Sequence, residues 1–167
     1  MGGPYMAKLE FRGQTYTSED EIRAMMAATG VLFERWPLRG VAASDDQVLS
    51  LYKPDVDRLM QERGYVAVDM VALKPSTPGL AEITARYDKE HHHVDDEVRF
   101  TVEGEGVFEI ADEHGEFLKF TATPGDLIVI PAYRRHLFYL TRQSHIRCIR
   151  LFLDRGGWEA IYEKVAN

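Results

Sequence analysis

From Tyr65 onward the chain keeps returning to one pattern, a short run rich in Val, Ile, Phe and Tyr followed by a turn. The runs are Tyr65 to Leu73, Val98 to Val102, Gly106 to Ala111, Phe117 to Thr121, Leu127 to Ile130, His136 to Leu140 and Ile146 to Leu153. Between them stand Lys74-Pro75, Gly104-Glu105, His114-Gly115 and Pro124-Gly125-Asp126, residues that favour reversal of the backbone. Many short strands at close spacing predict an antiparallel sandwich or barrel, in a mainly β chain.

The first third reads differently. Ser18-Glu19-Asp20-Glu21 is a capping box, with Gly30 as the stop. Ser44-Asp45-Asp46-Gln47 is a second. A further helix is expected to start near Pro54, to present Val56, Leu59 and Met60 on its apolar face, and to end at Gly64. A short closing helix is expected from Trp158 to Val165. The predicted organisation is one domain over residues 1–167, with a mainly helical part over 1–64, a barrel over 65–155 and a C-terminal helix over 156–167.

Within the β region lies His91-His92-His93-Val94-Asp95-Asp96-Glu97. Side chains alternate along an extended strand, so His91 and His93 share a face. Glu97 and Arg99 return to that face if the strand runs on without a bulge, and His92 points away. Imidazoles and a carboxylate converging on one point make a metal site. A second segment supplies a further ligand, since Gly125 and Pro131 flank one strand and His136 opens the next. A lone His-x-His is most often a surface pair. Glu97, Gly104, Gly125, Pro131 and His136 at these spacings reverse that reading.

His91-x-His93-x3-Glu97-x6-Gly104, followed by Gly125-x5-Pro131-x4-His136, resembles the paired motifs of the cupins. That resemblance implies a double-stranded β-helix, or jelly-roll barrel, with N-terminal helices and a short C-terminal helix. Three neutral imidazoles and one carboxylate leave a divalent ion with a net single positive charge. An octahedral ion then keeps two positions for water or a chelating, oxygen-rich ligand. His92, His114 and His145 read as surface histidines. Asp95 and Asp96 read as surface groups or supports of the ligands, and Cys148 as a small apolar side chain inside a strand.

Other segments narrow the family. Glu90 to Phe100 with Glu103 to Phe108, Gly30 to Trp36, Arg63-Gly64-Tyr65 with Asp69, Gly125 to Ala132, Ile149 to Phe152 and Gly157-Trp158 resemble the acireductone dioxygenases of bacterial type, in order along nearly the whole chain. The resemblance implies one divalent metal per chain, Fe2+ or Ni2+, held by His91, His93, Glu97 and His136. It implies Arg99 as a catalytic and substrate-binding residue, with Phe138, Arg150 and Tyr87 also at the substrate. The implied reaction joins O2 to 1,2-dihydroxy-3-keto-5-(methylthio)pentene in methionine salvage. Iron gives 2-keto-4-methylthiobutyrate and formate; nickel gives methylthiopropionate, formate and carbon monoxide. The implied oligomeric state is a monomer. Tyr87 replaces a usual Phe, Tyr133 stands where Gly commonly follows Pro-Ala, and Leu140 replaces an Asn of the cupin pattern.

Composition agrees with this reading. A formal charge of -7 argues against nucleic acid or an anionic membrane as partner, and the partners that the resemblance implies are a small-molecule substrate and O2. One cysteine excludes an intrachain disulfide, and no apolar run approaches a membrane span, so the expected compartment is the cytoplasm. The rival readings are another metal-dependent cupin enzyme, oxalate-degrading or isomerase in type, and a non-catalytic ligand-binding cupin. Glu97-Val98-Arg99-Phe100 and Phe33-Glu34-Arg35-Trp36 disfavour the first. The intact set of four ligands disfavours the second. Arg99 also has a structural reading, as a salt bridge to a carboxylate.

Overall fold

Strands such as Asp126–Ile130 are buried at successive positions, so both of their faces are covered. A computed structural model describes residues 6–40, 43–154 and 159–162 of the chain. Its elements are β1 (Lys8–Phe11), β2 (Gln14–Tyr16), α1 (Glu19–Ala28), β3 (Leu32–Arg35), α2 (Asp45–Leu51), α3 (Lys53–Arg63), β4 (Ala67–Leu73) and α4 (Leu80–Ala85). Then follow β5 (His91–His92), β6 (Glu97–Gly104), β7 (Gly106–Ala111), β8 (Phe117–Ala122), β9 (Asp126–Ile130), β10 (His136–Leu140), β11 (Ile146–Phe152) and β12 (Ile161–Tyr162). One sheet has the order β12-β5-β10-β7-β8-β1-β2 and the other β3-β9-β6-β11-β4, giving the expected double-stranded β-helix.

Inward residues of the two sheets share one core. Phe33, Ile128 and Ile130 of the smaller sheet join Leu9, Phe108, Ile110 and Phe120 of the larger, all nearly inaccessible to solvent. The alternate residues Val98, Phe100, Leu127, Val129, Ile149 and Leu151 face the other way, onto Val48, Tyr52, Val56 and Leu59 of the helical layer. Phe100 is held there between Trp36, stacked at 4.6 Å, and Tyr52 at 4.8 Å. Fully burying such a ring stabilises the fold by roughly 1.5–3 kcal/mol.

The expected helices form, and their ends follow from the sequence. Ser18 caps α1 through Glu21 N–H, and Ser44 and Gln47 exchange both hydrogen bonds of a capping box at α2. Pro54 sits in the first turn of α3, and Gly64 closes that helix in the left-handed region at φ 78. Both motif glycines are forced. A Cβ on Gly104 would lie 2.1 Å from the His145 carbonyl oxygen, and Gly125 turns at φ +99 against the Arg35 guanidinium.

The structure adds to or departs from expectation in four places. Within the mainly helical first 64 residues, β1 and β2 extend the larger sheet and β3 the smaller. The β1–β2 hairpin turns on Arg12 and Gly13, both at positive φ, as a two-residue hairpin loop requires. Helix α4 interrupts the predicted barrel region. The expected closing helix does not form over its described part. Ile161 and Tyr162 instead pair as β12 with β5, whose edge hydrogen bonds they satisfy, while Trp158 and residues 163–165 lie outside the described residues. Finally, His91 to Glu97 is not one strand. The chain leaves the larger sheet after His92, bends at Val94 and Asp95, and enters the smaller sheet at Glu97.

Candidate metal centre

That bend brings the predicted ligands together. His91 on β5 and His136 on β10 are register partners, so their rings stand side by side, centroids 4.5 Å apart. The His93 ring follows at the start of the bend, 5.0 Å from His91 and 5.1 Å from His136. One donor atom from each of these three histidines lies within 4.8 Å of the others. Glu97 reaches in from the facing sheet, with Oε2 2.6 Å from His136 Nε2 and 3.8 Å from His93 Nε2. All four side chains are 3% exposed or less.

The protein fixes the ring orientations through the backbone. His91 Nδ1 lies 2.7 Å from the Lys89 carbonyl oxygen, His93 Nδ1 2.8 Å from that of Glu159, and His136 Nδ1 2.8 Å from that of Arg134. A carbonyl only accepts, so each Nδ1 carries a proton, and each ring, when neutral, turns its Nε2 lone pair inward. This is how metal-binding histidines are held. His136 Nε2 and Glu97 Oε2 approach closely without a hydrogen bond of good geometry. Lone pairs gathered in this way repel one another unless a cation stands among them, so the donor set fits a divalent ion.

Electrostatics points the same way. Burial pushes the His91 ring down to about 4 and lowers His93 as well, so both are neutral donors. Burial also opposes charge on His136, but the Glu97 carboxylate outweighs it and raises that ring. Glu97 lies well below the usual carboxylate range. Its burial is overcome by His136 and Arg99. A proton and a metal ion thus compete for the same point between Glu97 and His136.

The other predicted site residues surround this point unequally. Arg99 lies on the inner face, as alternation requires, and donates from Nε to Glu97 Oε1 at 3.0 Å. Its guanidinium carbon is 5.1 Å from the Phe138 ring centroid, and Phe138 packs on Phe108 at 4.8 Å. The Tyr87 ring is 6.0 Å from His91, and its carbonyl accepts from the Phe138 N–H. Arg150 is the register partner of Arg99 on one side and of Asp69 on the other. It holds Asp69 through two hydrogen bonds of 2.8 and 2.6 Å. Sequence reasoning missed the three carbonyls that orient the histidines, because backbone groups leave no residue signature. Cys148 packs inside the barrel beside Thr101, as expected.

Known proteins are similar to this chain. The ARD/ARD' family model matches residues 38–160. An acireductone dioxygenase of Exiguobacterium sibiricum is 36% identical over 90% of this chain and 90% of its own length. One from a Sulfurihydrogenibium species is 34% identical over 95% of this chain and 96% of its own. Among solved structures, acireductone dioxygenase from Bacillus anthracis with a cadmium ion in its active center superposes with a TM-score of 0.88. It is 32% identical and covers 96% of this chain and 100% of its own. With the match spanning both histidine segments and the helical layer, the chain belongs to the ARD/ARD' family.

Proposed function

We propose that this chain is a metal-dependent dioxygenase that cleaves 1,2-dihydroxy-3-keto-5-(methylthio)pentene with O2 in methionine salvage. The observation that carries this reading is the inward convergence of His91, His93 and His136 beside Glu97, with the buried Arg99 next to them. His91, His93, Glu97 and His136 hold one divalent ion, Fe2+ or Ni2+. When bound, that ion supplies Lewis-acid polarisation and a template for a chelating, anionic substrate.

The chain's own residues do the remaining work. Arg99 offsets negative charge on substrate oxygen, and its burial makes the effect stronger than in water. Its bond to Glu97 Oε1 aims it at the ligand sphere. Arg150, clamped by Asp69, sets a second cation in the same row of the sheet. Phe138 and Tyr87 exclude water on the side away from the smaller sheet. With iron the products are 2-keto-4-methylthiobutyrate and formate. With nickel they are methylthiopropionate, formate and carbon monoxide. Either product set accounts for every atom of substrate and O2.

The whole chain acts as one domain and as a monomer, in the cytoplasm, with the substrate and O2 as its partners and neither nucleic acid nor membrane. No described helix is long and apolar enough to cross a membrane. The test is to reconstitute apo-protein separately with iron and with nickel, and to follow acireductone consumption and carbon monoxide. Consumption with both metals, and carbon monoxide with nickel alone, is the expected result. No consumption with either metal would refute the assignment.

A further inference from the structure

The bend from His93 to Asp96 carries one proposed ligand and leads directly into another, Glu97, yet the bend itself belongs to neither sheet. Something other than a strand ladder must hold it. Asp96 lies at its end, immediately before Glu97, and its carboxylate bridges two distant parts of the chain. Oδ2 accepts from the Tyr65 hydroxyl at 3.0 Å, and Oδ1 accepts from the Ala132 N–H at 3.1 Å. At the other end of the bend, the His93 carbonyl accepts from the Tyr133 N–H at 2.8 Å.

Each partner is itself fixed. Tyr65 follows the left-handed Gly64 that closes α3 and is 3% exposed, locked in the cluster of Trp36 and Phe100 on the helical side of the smaller sheet. Burial, and then the Asp96 charge, push the Tyr65 hydroxyl upward in pKa, so it remains a donor. Ala132 and Tyr133 lie in the loop after Pro131, which folds back through an Arg134 N–H to Pro131 carbonyl bond. The carbonyl of that same Arg134 orients His136 through Nδ1.

From this geometry we infer that Asp96 and Tyr65 are positioning residues for the metal centre, holding Glu97 and His136 in mutual register without touching the ion. The inference rests on the metal-site reading above. Asp96 ties the turn that presents Glu97 to the loop that presents His136, and Tyr65 anchors both to the helical layer. Supports of this kind typically change metal affinity tenfold to a hundredfold when removed.

Nickel affinity, measured by competition with a chromophoric chelator, and the visible absorption of the cobalt-loaded protein together test this. Parent protein, Asp96→Ala, Asp96→Asn and Tyr65→Phe are compared. Asp96→Ala is expected to weaken nickel tenfold to a hundredfold and to alter the cobalt spectrum. Asp96→Asn keeps an acceptor for Ala132 and can donate to the Tyr65 oxygen, so it is expected to restore affinity to near the parent's. Tyr65→Phe keeps the buried ring and loses only the hydroxyl, so it should fall between. Asp96→Ala with the parent's affinity and spectrum would overturn the role. Should Asp96→Ala fail to fold, Tyr65→Phe decides: parent affinity and spectrum there overturn it equally. A parent that takes up no nickel or cobalt would remove the centre itself. Normal uptake by the parent with no response in the variants rejects the clamp alone.

Discussion

Arg99 donates from Nε to Glu97 Oε1 at 3.0 Å, two positions along one strand, and both side chains are almost wholly buried. The other oxygen of Glu97 faces His136 at 2.6 Å. One carboxylate therefore divides between a fixed cation and the proposed metal. The structural and the functional readings of Arg99 merge, because the salt bridge aims the guanidinium at the place where substrate charge would sit. Arg99→Met removes the cation and leaves Glu97 buried. In the metal-free protein the change is expected to cost about 3 kcal/mol, the low end for breaking a buried pair. Nickel loading should recover much of that loss, because the ion also neutralises Glu97. Turnover should still fall about a hundredfold, as for loss of one oxyanion donor. Melting of apo and loaded forms, with turnover on the same preparation, tests both halves. Parent-like turnover would take Arg99 out of the chemistry.

Glu97 and His136 come from opposite sheets, so removing either should open the centre without disturbing its neighbours on the other sheet. Glu97→Ala and His136→Ala are expected to give folded protein with metal content well below one equivalent by elemental analysis. Full metal retention in both variants would rule out the ligand set.

Metal uptake should release a proton. The His136 ring is raised by Glu97, so below that raised pKa the pair holds a proton that a metal must displace. Binding therefore weakens as pH falls through the raised His136 pKa. Calorimetry in two buffers of different ionisation enthalpy should show release of about one proton on nickel binding at mildly acidic pH, declining as pH rises. His91, already lowered to about 4 by burial, contributes little to that release near neutrality. No buffer dependence at mildly acidic pH would contradict the competition described here.

Tyr133 occupies the left-handed region at φ 68 and is 66% exposed. The resemblance to its family already marked this as a place where Gly is usual, and the backbone supplies the reason. A non-Gly residue pays about 1–2 kcal/mol there, partly offset by the extra freedom that Gly gives the unfolded chain. Tyr133→Gly is expected to stabilise the protein by about 0.5–1 kcal/mol. Tyr133→Ala should give no such gain, because it keeps the Cβ that causes the strain. Chemical denaturation of the three proteins tests this. An equal gain from Ala and Gly would trace the effect to the exposed ring instead.

Much of this protein was legible in its residues. Strand periodicity after Tyr65, the capping serines Ser18 and Ser44, and Gly64 are local signals, and each reads the same in isolation as in the fold. The spacing of His91, His93, Glu97 and His136 carried the candidate site, because those side chains can converge only if the strands that bear them face each other. Strand alternation alone, however, gave the wrong picture of how they converge. His93 and Glu97 meet because the chain crosses between sheets at Val94 and Asp95, and that crossing is set by contacts to Tyr65 and to the loop after Pro131. The pairing of Arg150 with Asp69 and the strand formed by Ile161 and Tyr162 also waited on tertiary structure. Each depends on partners brought together by folding rather than on neighbours in sequence. A charged side chain signals its need for a partner, but only packing decides which one it finds.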